Sequence, residues 1–366
     1  MVVPLLLLLF QATLSGHNSA SVANVHARAQ DTSRTFAERR QAYEQLLQHG
    51  RANASLYADY VSLLLANRAY EPALSWSEKG LATSPSDGTL RLRKGIALHA
   101  LGRPEESVRT LEGLPALSEA RFYMGLNYRI LRDHASAQRC LAEAWELGFR
   151  DPYALYALIE EDHALGDKAA GLRHFQAFAT QFPDSPWLHV LYANAYFLKD
   201  REEDARKEYL EALRKDPQLP GVNFRLGYVI YRNGEYPLAA EYFSKELALN
   251  PAYSDASLFL GETLRQQGRG AEATGHLRRA IALDARSELA YRSLAAVLQD
   301  QGELNDAVDV LIAAERQFPS DPSFPGQLAR ILTTLKRGDE ALREEEKFHS
   351  LTEAQRAKER SEQKQP

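Results

Sequence analysis

From about residue 35 onward the apolar positions keep the three-then-four spacing of helices with one buried stripe, and the stripe recurs with a longer period. Leu226-Gly227, Leu260-Gly261, Leu294-Ala295 and Leu328-Ala329 fall 34 residues apart. Pro183, Pro217, Pro251 and Pro319 keep the same time, with Ala285 where one proline is missing, and so do Ala205, Ala239, Ala273, Ala307 and Ala341. A fixed period of this length predicts a stack of helix–turn–helix units rather than a set of separate domains. Within a unit the two helices run antiparallel, and only small side chains fit where their axes cross closest. Proline stops the second helix because it has no amide donor and clashes with the preceding turn. Glycine recurs where the chain turns between the helices, at Gly102, Gly166, Gly234, Gly268 and Gly302.

This pattern resembles the tetratricopeptide repeat (TPR), with a large residue at position 4, Leu-Gly at 7–8, a large residue at 11, Ala at 20, a large residue at 24, Ala at 27 and Pro at 32. On that frame repeats begin at Ala54, Gly88, Ser118, Pro152, Pro186, Pro220, Ser254, Glu288 and Pro322. All steps are 34 residues except Gly88 to Ser118, which is 30 and implies a trimmed second helix around Glu112-Gly113-Leu114-Pro115. Position 20 is small in every repeat: Ala73, Ser107, Ala137 and Gly171, then the five alanines above. With small residues near a quarter of the chain, chance gives that on the order of once in 10⁵. Position 8 is looser, since Val61 and Ile159 break it. Asp162 stands at position 11, where a large apolar residue is usual, and predicts either a local distortion or a polar partner. The resemblance implies an all-α, right-handed superhelical solenoid with a charged C-terminal capping helix and no second domain.

The ends read as caps. Thr35-Phe36-Ala37-Glu38 is a capping box that opens a helix to about Gln48, making 35–53 an N-terminal half-repeat after a linker over 24–34. Repeats fill 54–341, and 342–366 is a capping helix and tail with charges of both signs. At the start, MVVPLLLLLF is an apolar run of half the ~20 residues a bilayer-spanning helix needs. With the small residues that follow, it fits a secretory signal over 1–23, though no Lys or Arg precedes it. The residue that a lipoprotein signal would need as cysteine is His17. The expectation is export to a periplasm or to the medium, with no stable membrane insertion after cleavage.

Charge and chemistry narrow the function. The 366 residues carry 44 basic and 49 acidic side chains, net −5, so the basic excess of a nucleic-acid surface is missing. The one cysteine, Cys140, can form neither an internal disulfide nor a thiolate zinc cage, and at position 23 it reads as a packing residue. Neither a GxxxxGK[ST] loop nor a G-x-S-x-G elbow is present, and Gly268-Arg269-Gly270 falls on an inter-helix turn. Glu160 and His163 are the sharpest metal candidate, at i and i+3 on one helix face. Neighbouring repeats supply no matching ligands, His99 lies two units away, and the pair reads as solvated. Asn53-Ala54-Ser55 is a glycosylation sequon, meaningful in a eukaryotic secretory route. No catalytic residue, metal or cofactor is expected, and the chain does not read as an enzyme.

In the TPR family, first helices line a concave groove toward which positions 2, 5, 9 and 12 tend to face. Here those positions hold Phe122 and Leu126, Tyr153 and Tyr156, then Trp187, Val190, Asn194 and Phe197, then Phe224, Tyr228 and Tyr231, then Leu258. Rigid aromatic side chains bind partners at low entropic cost; the same rings also suit packing between neighbouring first helices, and both readings stay open. Arg225, Arg232 and Arg265 flank the rings and either pair with acidic groups of a ligand or stand solvated. Two ligand modes of the family are disfavoured. The clamp for acidic C-terminal peptides wants Lys at position 5, which never occurs, and Asn at 9, where only Asn194 stands; an asparagine ladder wants Asn at position 6, which is absent. The resemblance implies a non-catalytic protein–protein scaffold that holds an extended or helical segment of another protein in its central aromatic groove, and the N-terminal run adds the expectation that it is exported. The alternative is a structural assembly factor of a cell-envelope complex using its convex face or its ends.

Overall fold

The computed structural model describes residues 25–48, 53–115 and 117–362. The apolar N-terminal run and its cleavage region lie outside them. Every regular element is an α-helix, with no strand among the described residues. The chain divides into two compact units between Pro183 and Asp184.

In the first unit the first helices of the repeats run Ala54–Ala66, Gly88–Ala100, Ser118–Ile130 and Pro152–Ala164. Their partners are Tyr70–Thr83, Pro104–Leu111, His134–Glu146 and Lys168–Gln181. Pro104–Leu111, at eight residues, is the short one, in the repeat with the 30-residue step. Ahead of them lies Phe36–Gln48, opened by a reciprocal cap: the Thr35 amide and hydroxyl each donate to Glu38 Oε2 at 2.9 Å, and the Glu38 amide donates to Thr35 Oγ1 at 3.4 Å. Residues 25–30 fall in the stretch read as linker, yet they are helical, and Ala29 is fully buried with Ala42, Tyr43, Leu46 and Tyr60. The Arg39 guanidinium donates to the Ala29 carbonyl at 3.0 Å, tying this turn to the next helix.

The second unit pairs Pro186–Phe197 with Glu202–Lys215, Val222–Arg232 with Tyr236–Leu249, Ser254–Gln266 with Gly270–Leu283, and Glu288–Asp300 with Leu304–Gln317. It ends with Ser323–Thr334 against Gly338–Glu362, a 25-residue helix that continues the last repeat without a break. No described helix is long and apolar enough to cross a membrane.

Each turn inside a repeat is made alike. Its fifteenth residue is left-handed: the five glycines above, and also Arg68, Arg132, Asp200 and Lys336 with φ of 57°, 59°, 54° and 60°. The next amide reaches back to the carbonyl five residues earlier, as from Arg103 to Leu98 and from Arg269 to Leu264, both at 2.9 Å. That same residue then opens the second helix. Asp133 and Asp167 cap it by accepting from the amides of Ser136 (3.0 Å) and Ala170 (2.9 Å). Arg103, Arg201 and Arg269 instead pair at 2.7 Å with the acid three residues on, Glu106, Asp204 and Glu272.

The close crossing falls between positions 8 and 24. A Cβ on Gly125 would lie 2.7 Å from Leu141, one on Gly227 2.9 Å from Phe243, and one on Gly261 2.6 Å from Leu277. The repeat from Pro152 lacks this fit, because Ile159 and Phe175 are both large. Its second helix, Lys168–Gln181, buries only Ala170 and Phe178, and a Cβ on Gly171 would find its nearest neighbour, Asp162, at 3.6 Å. The opened space is filled by polar groups. Asp162, fully buried, accepts from Gln138 Nε2 at 2.8 Å and lies 2.6 Å from His174 Nδ1. The helix around it is continuous, so Asp162 brings a polar partner and not a distortion. Beside it, buried Glu161 accepts from Arg129 Nε and meets His134 Nδ1, both at 2.7 Å.

Val222–Arg232 begins two residues after Pro220. Gly221 is left-handed there (φ 77°), and Glu246 from the paired helix takes the place of an N-cap. Its fully buried carboxylate accepts from the amides of Gly221 (2.9 Å) and Phe224 (3.4 Å). Burial pushes the Glu246 carboxyl above its usual range against the pull of those amides.

Candidate functional site

The rings of the inner stripe differ in depth. In the first unit, Phe122 is 7% exposed and stacks on Phe149 with centroids 4.7 Å apart, while Tyr156 is 3% exposed and stacks on Tyr153 at 6.0 Å. In the second, Trp187 and Leu258 are 8% and 3% exposed. These four side chains are therefore part of the packed interior and not of an open face. Tyr153, Asn194, Phe197, Phe224, Arg225, Tyr228 and Tyr231 are half-buried, and Arg232 is exposed.

The half-buried rings of the second unit form one connected set. Its centre is Phe259, at position 6 of its repeat, 5.0 Å from Tyr228 and 5.8 Å from both Tyr231 and Phe224. Phe224 also meets Phe243 at 5.7 Å and Tyr253 at 5.1 Å, so it roots the set in the packed interior. Phe197 extends it, edge-on to Tyr228 at 6.0 Å. Phe259 escaped the reading of positions 2, 5, 9 and 12, and an aromatic residue at position 6 was its only sequence signal.

The flanking arginines are engaged within the chain. Arg225 Nη1 donates to Asn194 Oδ1 at 3.3 Å, and Asn194 Oδ1 also accepts from the Tyr209 hydroxyl at 2.6 Å. Arg232 lies over the Phe197 ring at 5.1 Å and pairs with Glu202 at 3.0 Å and Asp200 at 3.8 Å. Arg265 pairs with Glu262 at 3.2 Å and Asp300 at 3.6 Å. Such pairs tie successive repeats, as Arg93–Glu119 (3.1 Å) and Arg129–Glu161 (2.7 Å) do in the first unit. The sequence left these arginines either to pair with acidic groups of a ligand or to stand solvated; in the structure carboxylates of the chain itself hold Arg232 and Arg265. Burial, followed by the charge of Glu262, holds the Tyr231 hydroxyl above its usual range, so it stays a neutral hydrogen-bonding tip on an apolar body.

The other candidates resolve simply. Glu160 is half-buried and His163 exposed, and among the described residues no group of three or more His, Cys, Asp or Glu side chains is placed to hold a metal ion. Cys140 packs with Ile96, Leu111 and Met124, and burial pushes its thiol up, away from the reactive thiolate. Asn53 caps Ala54–Ala66, its Oδ1 accepting from the Leu56 amide at 2.8 Å.

Residues 193–234 and 224–288 match two family models, described as TPR repeat and tetratricopeptide repeat. Human (Homo sapiens) tetratricopeptide repeat protein 7B is 23% identical over 281 residues, which is 72% of this chain. Those residues answer to 33% of that relative, so the chain spans about a third of its length. Among solved structures, the APC/C hetero-tetramer Cut9-Hcn1 shares the fold with a TM-score of 0.51 at 16% identity, over 76% of this chain and 54% of that one. MamA residues 41-end from Desulfovibrio magneticus RS-1 align at 20% identity with a TM-score of 0.44, over 47% of this chain and 97% of that one. The two family matches together cover residues 193–288, so this stretch is built of tetratricopeptide repeats, and the 34-residue period and paired helices carry the same unit through the rest of the described repeats.

Proposed function

We propose that the chain is a non-catalytic scaffold that holds a segment of another protein on the ring face of its second unit. Repeats of this family generally mediate protein–protein interactions, which supports the coarser half of the reading. The observation that carries the finer half is the connected, half-buried set of Phe197, Tyr228 and Tyr231 on successive first helices. Such rings offer apolar contact area and polar tips with little side-chain entropy to lose. The apolar N-terminal run extends the proposal to an exported protein, periplasmic or secreted.

Affinity capture from envelope and secreted fractions tests the binding surface, with wild type run beside Tyr228→Ala/Tyr231→Ala. Phe224 is left intact because it anchors the rings to Phe243 and Tyr253. The expected result is a partner held by wild type and lost by the variant, with both showing the same helical circular dichroism. A partner kept by both moves the function to other faces or to the ends, as an assembly factor of an envelope complex would require. Export is tested by N-terminal sequencing of the protein recovered from each cell fraction. Recovery of an uncleaved chain from the cytosol alone would overturn it.

A further inference from the structure

The ring face ends in carboxylates on both sides. Toward Phe197, Arg232 is held between Glu202 and Asp200. Beyond it opens a shallow recess of about 550 Å³ whose charged lining is Asp200, Glu202, Glu203, Asp204 and Glu235 with Arg201. Arg206 reaches Glu235 at 2.7 Å, Arg201 reaches Asp204 at 2.7 Å, and Lys207 stands 3.8 Å from Asp204. On the other side of Tyr231, Arg265 sits between Glu262 and Asp300. Each of these two arginines is thus met by two carboxylates, and over both flanks the seven carboxylates named outnumber the five cations by two. Exposure sharpens the imbalance. The side chains of Asp200 and Asp300 are 86% and 65% exposed, against 40% for Arg232 and 29% for Arg265. An approaching partner therefore meets rings at the centre and carboxylates at the rim.

We infer that the occupant of the ring face is a protein segment that places an apolar side chain against Tyr228 and Tyr231 and a lysine or arginine on a flank, toward Asp200 or Asp300. This rests on the proposed ring-face function and adds the partner's charge to it. An added cation gains from the surplus carboxylates without displacing an existing pair, whereas an acidic segment meets repulsion with Arg232 and Arg265 already neutralised. The rim is solvent-exposed, so its contribution is to selectivity and on-rate and weakens as salt rises.

The test uses the full chain and a library of random peptides of about twelve residues displayed on phage. Panning is run on wild type, on Tyr228→Ala/Tyr231→Ala and on Asp200→Lys/Asp300→Lys, each checked for unchanged helical circular dichroism. The expected winners on wild type combine an aromatic or aliphatic residue with Lys or Arg. As synthetic peptides they lose binding to the tyrosine variant and bind the charge-reversed variant at least about tenfold more weakly. Winners that depend on Tyr228 and Tyr231 but are neutral or acidic, or that ignore the charge reversal, overturn the inference and leave the ring-face reading standing. Winners that bind the tyrosine variant undiminished, or no winners at all, overturn both.

Discussion

The close crossing of paired helices gives the most exacting test of the packing. Gly261 faces Leu277 across its repeat, and an added methyl would sit 2.6 Å from Leu277 Cγ, 2.9 Å from its Cδ2 and 3.2 Å from the Ala273 carbonyl oxygen. Leu277 is fully buried and has no solvent to swing into, and the carbonyl belongs to helix backbone. Overpacking of this kind costs about 1–3 kcal/mol. Against it, alanine is favoured over glycine inside a helix by about 0.5–1 kcal/mol. Gly261→Ala is therefore expected to destabilise by up to about 2.5 kcal/mol. Gly275→Ala supplies the control. Gly275 lies on the second helix of the same repeat, exposed, with nothing within 4 Å of an added methyl, so only the favourable part remains. Shortening the opposing side chain removes the clash, so Gly261→Ala and Leu277→Ala together should cost less than the sum of the single changes. Urea unfolding followed by far-ultraviolet circular dichroism measures all four chains. If Gly261→Ala stabilises as much as Gly275→Ala, the crossing is not where we place it.

Other consequences can be checked in the same assay. Ala239→Leu, at the fully buried position 20 of its repeat, should cost about 1–3 kcal/mol, and an unchanged midpoint would count against the register. Lys336→Gly and Arg68→Gly, which relieve left-handed backbone at residues with a side chain, should each stabilise by about 0.5–1 kcal/mol; a loss at both would refute the turn geometry. His174→Ala strands the buried Asp162 carboxylate with Gln138 and should cost about 2–4 kcal/mol, more than the paired change Asp162→Leu/His174→Leu, and the reverse order would refute that account. Because the Glu246 carboxyl lies above its ordinary 4.5, the folded chain keeps this proton where the unfolded chain has lost it. Its contribution to stability therefore falls as pH rises from about 4.5 to the raised folded value. Glu246→Gln should flatten that part of the stability–pH curve, and an unchanged slope would assign the effect elsewhere.

The period made the architecture legible because it records a contact that every repeat must make. Small residues at position 20 read directly as the crossing, and five glycines marked five turns. The four turns at Arg68, Arg132, Asp200 and Lys336 stayed hidden, because those residue types carry no left-handed signal of their own. The ring face was half legible. The stripe at positions 2, 5, 9 and 12 found the rings but not their depth, which depends on residues outside the stripe, such as Phe149 stacked on Phe122. Phe122, Tyr156, Trp187 and Leu258 are buried. The arginines showed their charge in the sequence but not their partners, since Glu202 and Asp300 come from other helices and other repeat positions. The roles of Glu246, and of His174 beside Asp162, were likewise beyond a one-dimensional reading, which cannot tell that a carboxylate meets a helix start or an imidazole on another helix.

The turn inside each repeat leaves no slack, because one left-handed residue ends the first helix and the very next opens the second. Added length cannot be absorbed there without rotating one helix against the other. The connections between repeats carry no such double duty, and in the one departure from the 34-residue step the second helix shortens while the turn inside the repeat keeps its usual length. For anyone wishing to graft an epitope, a fluorophore-bearing loop or a protease site into this chain, the exposed connection at Ala285 and Arg286 is the permissive address. The same insertion at Gly268, seventeen residues earlier, would cut the array in two.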